Sequence, residues 1–233
     1  MRRHWLLLLF AMALAAIVAA CGGGDDSVSQ NACGLATSNN CDAPTAWSAA
    51  ASPGKLLFPE ATKDGPTLGN SDAPVAIELW MSLRCAHCHA FVYSALPQIV
   101  STYVDTGKIK LTIRNAALSD AAVEAHSALE CAGDQGKYWE AFDALNFNFT
   151  DNDTDYARDK INGRLDGSGV DLTAIDACLD AATHKSEVLA DVDEIKATNF
   201  AVLPVIIIGG DKVDSLETFA QAQTFIDAHL AQP

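Results

Sequence analysis

The sequence predicts a mixed α/β fold in which a strand-containing unit is split in two by a block of helices, and three observations predict it. Val75, Ile77, Leu79, Met81 and Leu83 are apolar at period two, the mark of a core strand. From Ser119 to His184 the pattern changes to Ala-rich segments with apolar residues three and four apart, which is helical spacing. Leu203-Pro-Val-Ile-Ile-Ile-Gly-Gly210 then returns to a β-branched run with Pro and Gly as punctuation.

The chain opens with Arg2 and Arg3, an apolar run from Trp5 to Ala20, and Cys21, which reads as a targeting segment over residues 1–20 and not as part of the fold. Val18-Ala-Ala-Cys21 resembles the lipobox of bacterial lipoproteins, which implies cleavage before Cys21 and lipidation of its sulfur. Several acyl chains would anchor the protein stably to a membrane. Residues 21–53 read as a lipidated tether and an irregular Ala, Ser and Asn-rich lead-in.

The formal charge of −15 becomes −17 once Arg2 and Arg3 leave with the targeting segment. Such an acidic chain is a poor partner for nucleic acid or anionic headgroups. With 49% hydrophobic residues it can bury a core of one enlarged domain.

After the strand at 75–83, apolar Phe91, Leu96, Ile99, Val100 and Tyr103 suit a helix from Ala86 to about Asp105, kinked at Pro97 and stopped by Gly107. Ile109, Leu111 and Ile113 alternate as a second strand, so a first strand unit is expected over 54–118. Within an insertion over 119–184, Ser119 caps a helix ending at Gly133. Tyr138, Phe142 and Leu145 mark a second, and Leu172, Ile175, Cys178 and Leu179 a third with Cys178 buried. Residues 185–233 return to the first unit: a helix from about Lys185 to Asn199, a hairpin around Gly209-Gly210, and an amphipathic helix capped by Asp214 and Glu217.

Export places the chain where disulfides persist. Without Cys21, six cysteines remain: Cys33, Cys41, Cys85, Cys88, Cys131 and Cys178. Closeness in sequence favours Cys33 with Cys41 and Cys85 with Cys88, which leaves Cys131 and Cys178 for each other. No thiol is left over.

Cys85-Ala-His-Cys-His89 can be read as a redox pair or as the C-x-x-C-H of haem attachment. A thiol at a helix N-terminus meets unpaired N–H groups and the positive end of the helix dipole, and both favour the thiolate. C-x-x-C thiols accordingly reach pKa values of about 3.5 to 7.5, and a stabilised thiolate makes the disulfide the more oxidising form. Cys85, exposed and first in its helix, is expected to exchange; Cys88, one turn in, resolves; His87 between them adds to thiolate stability. Haem would ask for a second axial ligand, often a downstream Met, whereas Met81 lies upstream on the core strand. His126, His184 and His229 read as solvated surface histidines, and His89 as a helix-surface residue. Structural zinc would need two further ligands at a suitable spacing, and no second C-x-x-C or H-x-x-H exists. Asp151-Asn-Asp-Thr-Asp155 begins like a calcium loop, but Tyr156 and Asn162 stand where Gly and Glu are required. No metal and no cofactor is expected.

Residues 65–232 resemble the DsbA-like branch of the thioredoxin fold. The likeness rests on Gly69-Asn-Ser-Asp-Ala-Pro-Val75, Cys85-Ala-His-Cys88, Glu130-Cys-Ala-Gly-Asp-Gln-Gly-Lys-Tyr-Trp139, Ala177-Cys-Leu179 and Leu203-Pro-Val-Ile-Ile-Ile-Gly209. It implies a thioredoxin fold with an α-helical insertion and a protein disulfide oxidoreductase in which Cys85 is the nucleophile, Cys88 the resolving thiol and His87 a thiolate stabiliser. Pro204, with Leu203 before it, would form a cis-proline loop that faces the pair and receives substrate backbone. Cys131 and Cys178 occupy positions joined as a structural disulfide in some members. The partners implied are thiols of exported proteins and a membrane quinone-linked reoxidising protein, for a monomer anchored by lipid on the periplasmic side of a bacterial membrane. The chain departs from the pattern at Ala86, where proline is common, and at Leu79, where an acidic residue is frequent; Glu78 falls on the opposite face.

Overall fold

The computed structural model describes residues 58, 61–147, 149, 153–214 and 216–232. The targeting segment, Cys21, and the expected pairing of Cys33 with Cys41 lie outside the described residues.

A hairpin of β1 (Lys63–Asp64) and β2 (Thr67–Leu68), too short to show in sequence periodicity, precedes the core strands. Gly69 follows at φ +104°, where a Cβ would stand 2.8 Å from the Ile109 carbonyl oxygen, so the chain passes the neighbouring strand at a distance only glycine permits. The core strand β3 (Val75–Met81) runs parallel to β4 (Ile109–Asn115) in the register Val75 with Ile109 through Met81 with Asn115. Ile77, Leu79 and Met81 are buried on one face. Trp80, on the other, is buried as well, because Arg114 stacks at 4.4 Å from its ring and Glu78 accepts its indole N–H at 3.1 Å.

The strand stops at Met81, two residues short of the expected Leu83. A turn, closed by the Cys85 N–H donating to the Ser82 carbonyl at 3.0 Å, separates it from the helix. The helical run then divides into α1 (Ala86–Ser94), α2 (Leu96–Ile99) and a π-helical turn (Val100–Val104). It breaks at Ala95, ahead of Pro97, whose ring crowds the carbonyl four residues back and which has no N–H to continue the ladder.

Between β4 and α7 (Lys185–Ala197) lie α3 (Asp120–Gly133), α4 (Tyr138–Phe147), a 3-10 turn (Asp153–Tyr156), α5 (Arg158–Leu165) and α6 (Leu172–Asp180). The helix α3 packs on α4, α6, α7 and the 3-10 turn, and Ser119 caps it by accepting the Ala122 N–H at 3.2 Å. Cys131 on α3 is joined to Cys178 on α6. Cys178 is half-buried, not buried as its stripe suggested, since α6 lies at the rim of the helical block.

Antiparallel β5 (Val205–Ile208) and β6 (Asp211–Asp214) meet at Gly209 and Gly210, whose φ values of +58° and +95° suit the two-residue turn that matches strand twist. The last helix, α8 (Phe219–Leu230), is capped by Thr218 and Gln221, not by Asp214 and Glu217. Its first turn starts later than expected, and Asp214 ends β6 instead, accepting the Ala201 N–H at 2.8 Å and Lys212 at 3.1 Å. The sheet order is β1-β2-β4-β3-β5-β6, which sets β3 and its turn at the centre. Among the described residues no helix is long and apolar enough to cross a membrane.

Candidate active site

Cys85 is the N-cap of α1, in extended conformation, and its Sγ accepts the Cys88 N–H at 3.4 Å. The same sulfur lies 3.8 Å from the Leu203 carbonyl oxygen, and the Leu203–Pro204 peptide bond is cis. Strand end, helix start and the loop before β5 thus converge on one sulfur. Cys85 and Cys88 are not joined, and both are fully buried. That overturns the expected exposure of Cys85. The reason is tertiary: the loop bearing Leu203 comes from 118 residues along the chain to lie against it.

His87 lies between the two cysteines in sequence, in the first turn of α1, half-buried, and its Nδ1 has no hydrogen-bond partner among the described residues. His89 is buried, not on the helix surface. Its ring lies 4.9 Å from Tyr93 and 4.6 Å from Phe149, and burial holds its pKa down to about 4.

Behind Cys85 the turn is gripped from the helical insertion. The Leu83 N–H donates to His126 Nε2 at 3.0 Å, and Tyr156 donates its hydroxyl to the Leu83 carbonyl at 2.9 Å. Arg84 donates to the Ser119 hydroxyl at 3.2 Å. His126, expected at the surface, is fully buried with its pKa lowered to about 4 by desolvation. Its helix turns it inward on the stripe Ala122, Ala125, His126, Leu129. That spacing, and the inward register of Asn115 after Ile109, Leu111 and Ile113, were the sequence signals for a buried polar pair.

His184 and His229 are likewise half-buried instead of solvated, each drawn onto carboxylates. His184 bonds Asp134 at 2.9 Å and Glu187 at 3.1 Å, and His229 bonds Asp211 at 3.1 Å. Desolvation opposes the charged form of His184, but the two carboxylates outweigh it and raise its pKa. Cys131, Cys178 and His184 bring potential metal-ligating atoms within 4.8 Å of one another, but the two sulfurs are bonded to each other and so are not thiolate ligands.

A thiol held at a helix N-terminus one turn from a second thiol, opposite a cis-proline loop, can form and exchange disulfides. A family model described as thioredoxin matches residues 61–228. Disulfide bond formation protein D of Bacillus subtilis is 22% identical over 175 residues, 72% of this chain and 78% of that protein. Among solved structures, oxidised BdbD from Bacillus subtilis superposes with a TM-score of 0.65 at 19% identity, covering 78% of this chain and 99% of that one. Chlamydia trachomatis DsbA does so with a TM-score of 0.61 at 18% identity, covering 77% and 97%. At these identities the solved structures speak to the fold, while the family model spans well over half of the sequence, and on that match the chain belongs to the thioredoxin family.

Proposed function

We propose that the protein is an exported, lipid-anchored protein disulfide oxidoreductase of the DsbA-like kind, which donates a Cys85–Cys88 disulfide to proteins folding outside the cytoplasm. The observation that carries this reading is the placement of Cys85 Sγ on the Cys88 N–H at the start of α1, against the Leu203 carbonyl of the cis-proline loop. The name of the Bacillus subtilis relative, disulfide bond formation protein D, supports it.

A substrate thiolate attacks Cys85 Sγ and breaks the Cys85–Cys88 bond, and Cys88 departs as the thiolate. The second substrate thiolate then attacks its own chain's sulfur in the mixed disulfide and expels Cys85 as the thiolate. Two electrons pass from substrate to enzyme, and both substrate sulfurs end in one disulfide. The helix N-terminus stabilises the Cys85 thiolate as leaving group. His87, in the same turn, adds a hydrogen-bonding group beside it. Leu203 and Pro204 receive the substrate backbone. The Cys131–Cys178 bond is structural. A membrane quinone-linked partner takes the two electrons from the reduced pair. Anchoring through Cys21 is supported by Val18-Ala-Ala-Cys21.

The oxidised protein, mixed with a reduced unfolded protein carrying two cysteines, is expected to lose its disulfide as the substrate gains one, in equal number. Cys85→Ser abolishes the transfer, and in cells Cys21→Ser moves the chain from the membrane to the soluble fraction. Substrate thiols left unchanged by the oxidised wild type would contradict the donor reading, and an unchanged membrane fraction would contradict the anchor.

A further inference from the structure

The peptide of Leu83 lies two residues before Cys85, and the helical insertion holds both of its polar groups. His126 on α3 accepts the N–H at 3.0 Å, and Tyr156 of the 3-10 turn donates to the C=O at 2.9 Å. Because a backbone N–H can only donate, Nε2 of His126 carries the lone pair and Nδ1 the proton, which goes to Asn115 Oδ1 at 2.7 Å. Asn115 is oriented in turn. Its amide nitrogen donates to Glu130 at 2.9 Å and Asp191 at 3.2 Å, and its backbone N–H to Asp191 at 3.0 Å. Asp191 is paired with Arg114 at 2.7 Å. Tyr156 is fixed from its other side by Arg164, 4.7 Å above the ring. Rings, amide and ion pair therefore define a single arrangement of the Leu83 peptide. That turn ends in the Cys85 N–H on Ser82 and sets the sulfur over the Cys88 N–H.

We propose that His126 and Tyr156 are positioning residues for thiol exchange: by holding the Leu83 peptide from the helical insertion they fix Cys85 Sγ on the helix N-terminus. The inference rests on the reading of Cys85 as the exchanging sulfur. Neither residue touches substrate. Their effect runs through the turn, so the quantity they control is how much of Cys85 is thiolate at a given pH. A Leu83 N–H or C=O left without its partner in this buried place would drive the turn to rearrange. The sulfur would then lose alignment with the Cys88 N–H, and with it stabilisation of the anion.

The test is the pH–rate profile of Cys85 alkylation by iodoacetamide in the full chain, followed by peptide mass, with the Cys131–Cys178 bond intact. Altered access rescales the whole profile, while altered thiolate stability moves its midpoint. Tyr156→Phe and His126→Leu are expected to move the midpoint upward by about half a unit or more, about threefold less thiolate at a given pH. His126→Gln, which keeps an acceptor for the Leu83 N–H, is expected to recover most of the shift. Ile226→Ala, buried on α8, is expected to lower the melting temperature and leave the midpoint in place. Should His126→Leu fail to fold, Tyr156→Phe and His126→Gln carry the comparison. Equal midpoints in wild type and Tyr156→Phe, or an equal shift in Ile226→Ala, would overturn the proposal and leave the exchange reading standing. A wild-type Cys85 that neither alkylates nor exchanges would overturn both.

Discussion

Desolvation shifts the titration of His89, His126, Asp143 and Glu130, and the contributions of the histidines and the carboxyls to stability have opposite signs. His89 and His126 fall from 6.5 to about 4, because burial desolvates the imidazolium, and at His126 the charge of Asp191 offsets only part of that cost. Between those values the unfolded chain holds more protons than the folded one, so acid favours unfolding. Asp143 is raised from 3.8 to about 6 by burial, so from 6 downward the folded state takes up the proton first and gains stability. Glu130, also raised chiefly by desolvation, acts in the same direction as Asp143. The two histidines carry the larger displacements, so stability to urea is expected to fall as pH drops from 6.5 to 4, and Asp143→Asn, which removes one opposing contribution, is expected to make the fall steeper. Midpoints that stay level with pH, or a shallower fall in Asp143→Asn, would contradict these charge states. The place of Cys85 and Cys88 at a helix start was legible because spacing and the strand-to-helix change are local signals. His126 and His89 were not, since the sequence-based reading weighed a histidine's polarity above its place on an apolar stripe.

At the scale of elements, β3, β4, the β5–β6 hairpin and the start of α3 were legible because period-two alternation, paired glycines and a serine cap are local signals. The helix α5, with its polar sequence Arg158–Leu165, was not, because Arg158 and Arg164 stabilise it through distant or backbone partners: Glu124 at 2.6 Å and the Asp155 carbonyl at 3.2 Å. The hairpin β1–β2 is defined by pairing with β4, which no local pattern announces. Cys131 and Cys178 tie α3 to α6 across a separation of 47 residues. Closing a loop of that size removes chain entropy from the unfolded state worth about 4 kcal/mol. The double variant Cys131→Ala/Cys178→Ala is expected to lose about 2–4 kcal/mol in urea unfolding while Cys85 still exchanges. Loss of exchange in a folded double variant would show that the tie does more than stabilise the helical block.

For the whole molecule, the sheet and the helical insertion meet at one turn. The parallel pair β3 and β4 brings the strand end to the centre of the sheet, β5 brings the cis-proline loop beside it, and α3 reaches under it with His126. Each half alone would lack part of the surroundings of Cys85. The measurement that bears most directly on disulfide donation is the equilibrium of the purified protein with graded glutathione buffers, with Cys85 and Cys88 followed by mass after alkylation. A potential above about −180 mV is expected of a donor, whereas one near about −270 mV, or a pair that never titrates, would contradict it.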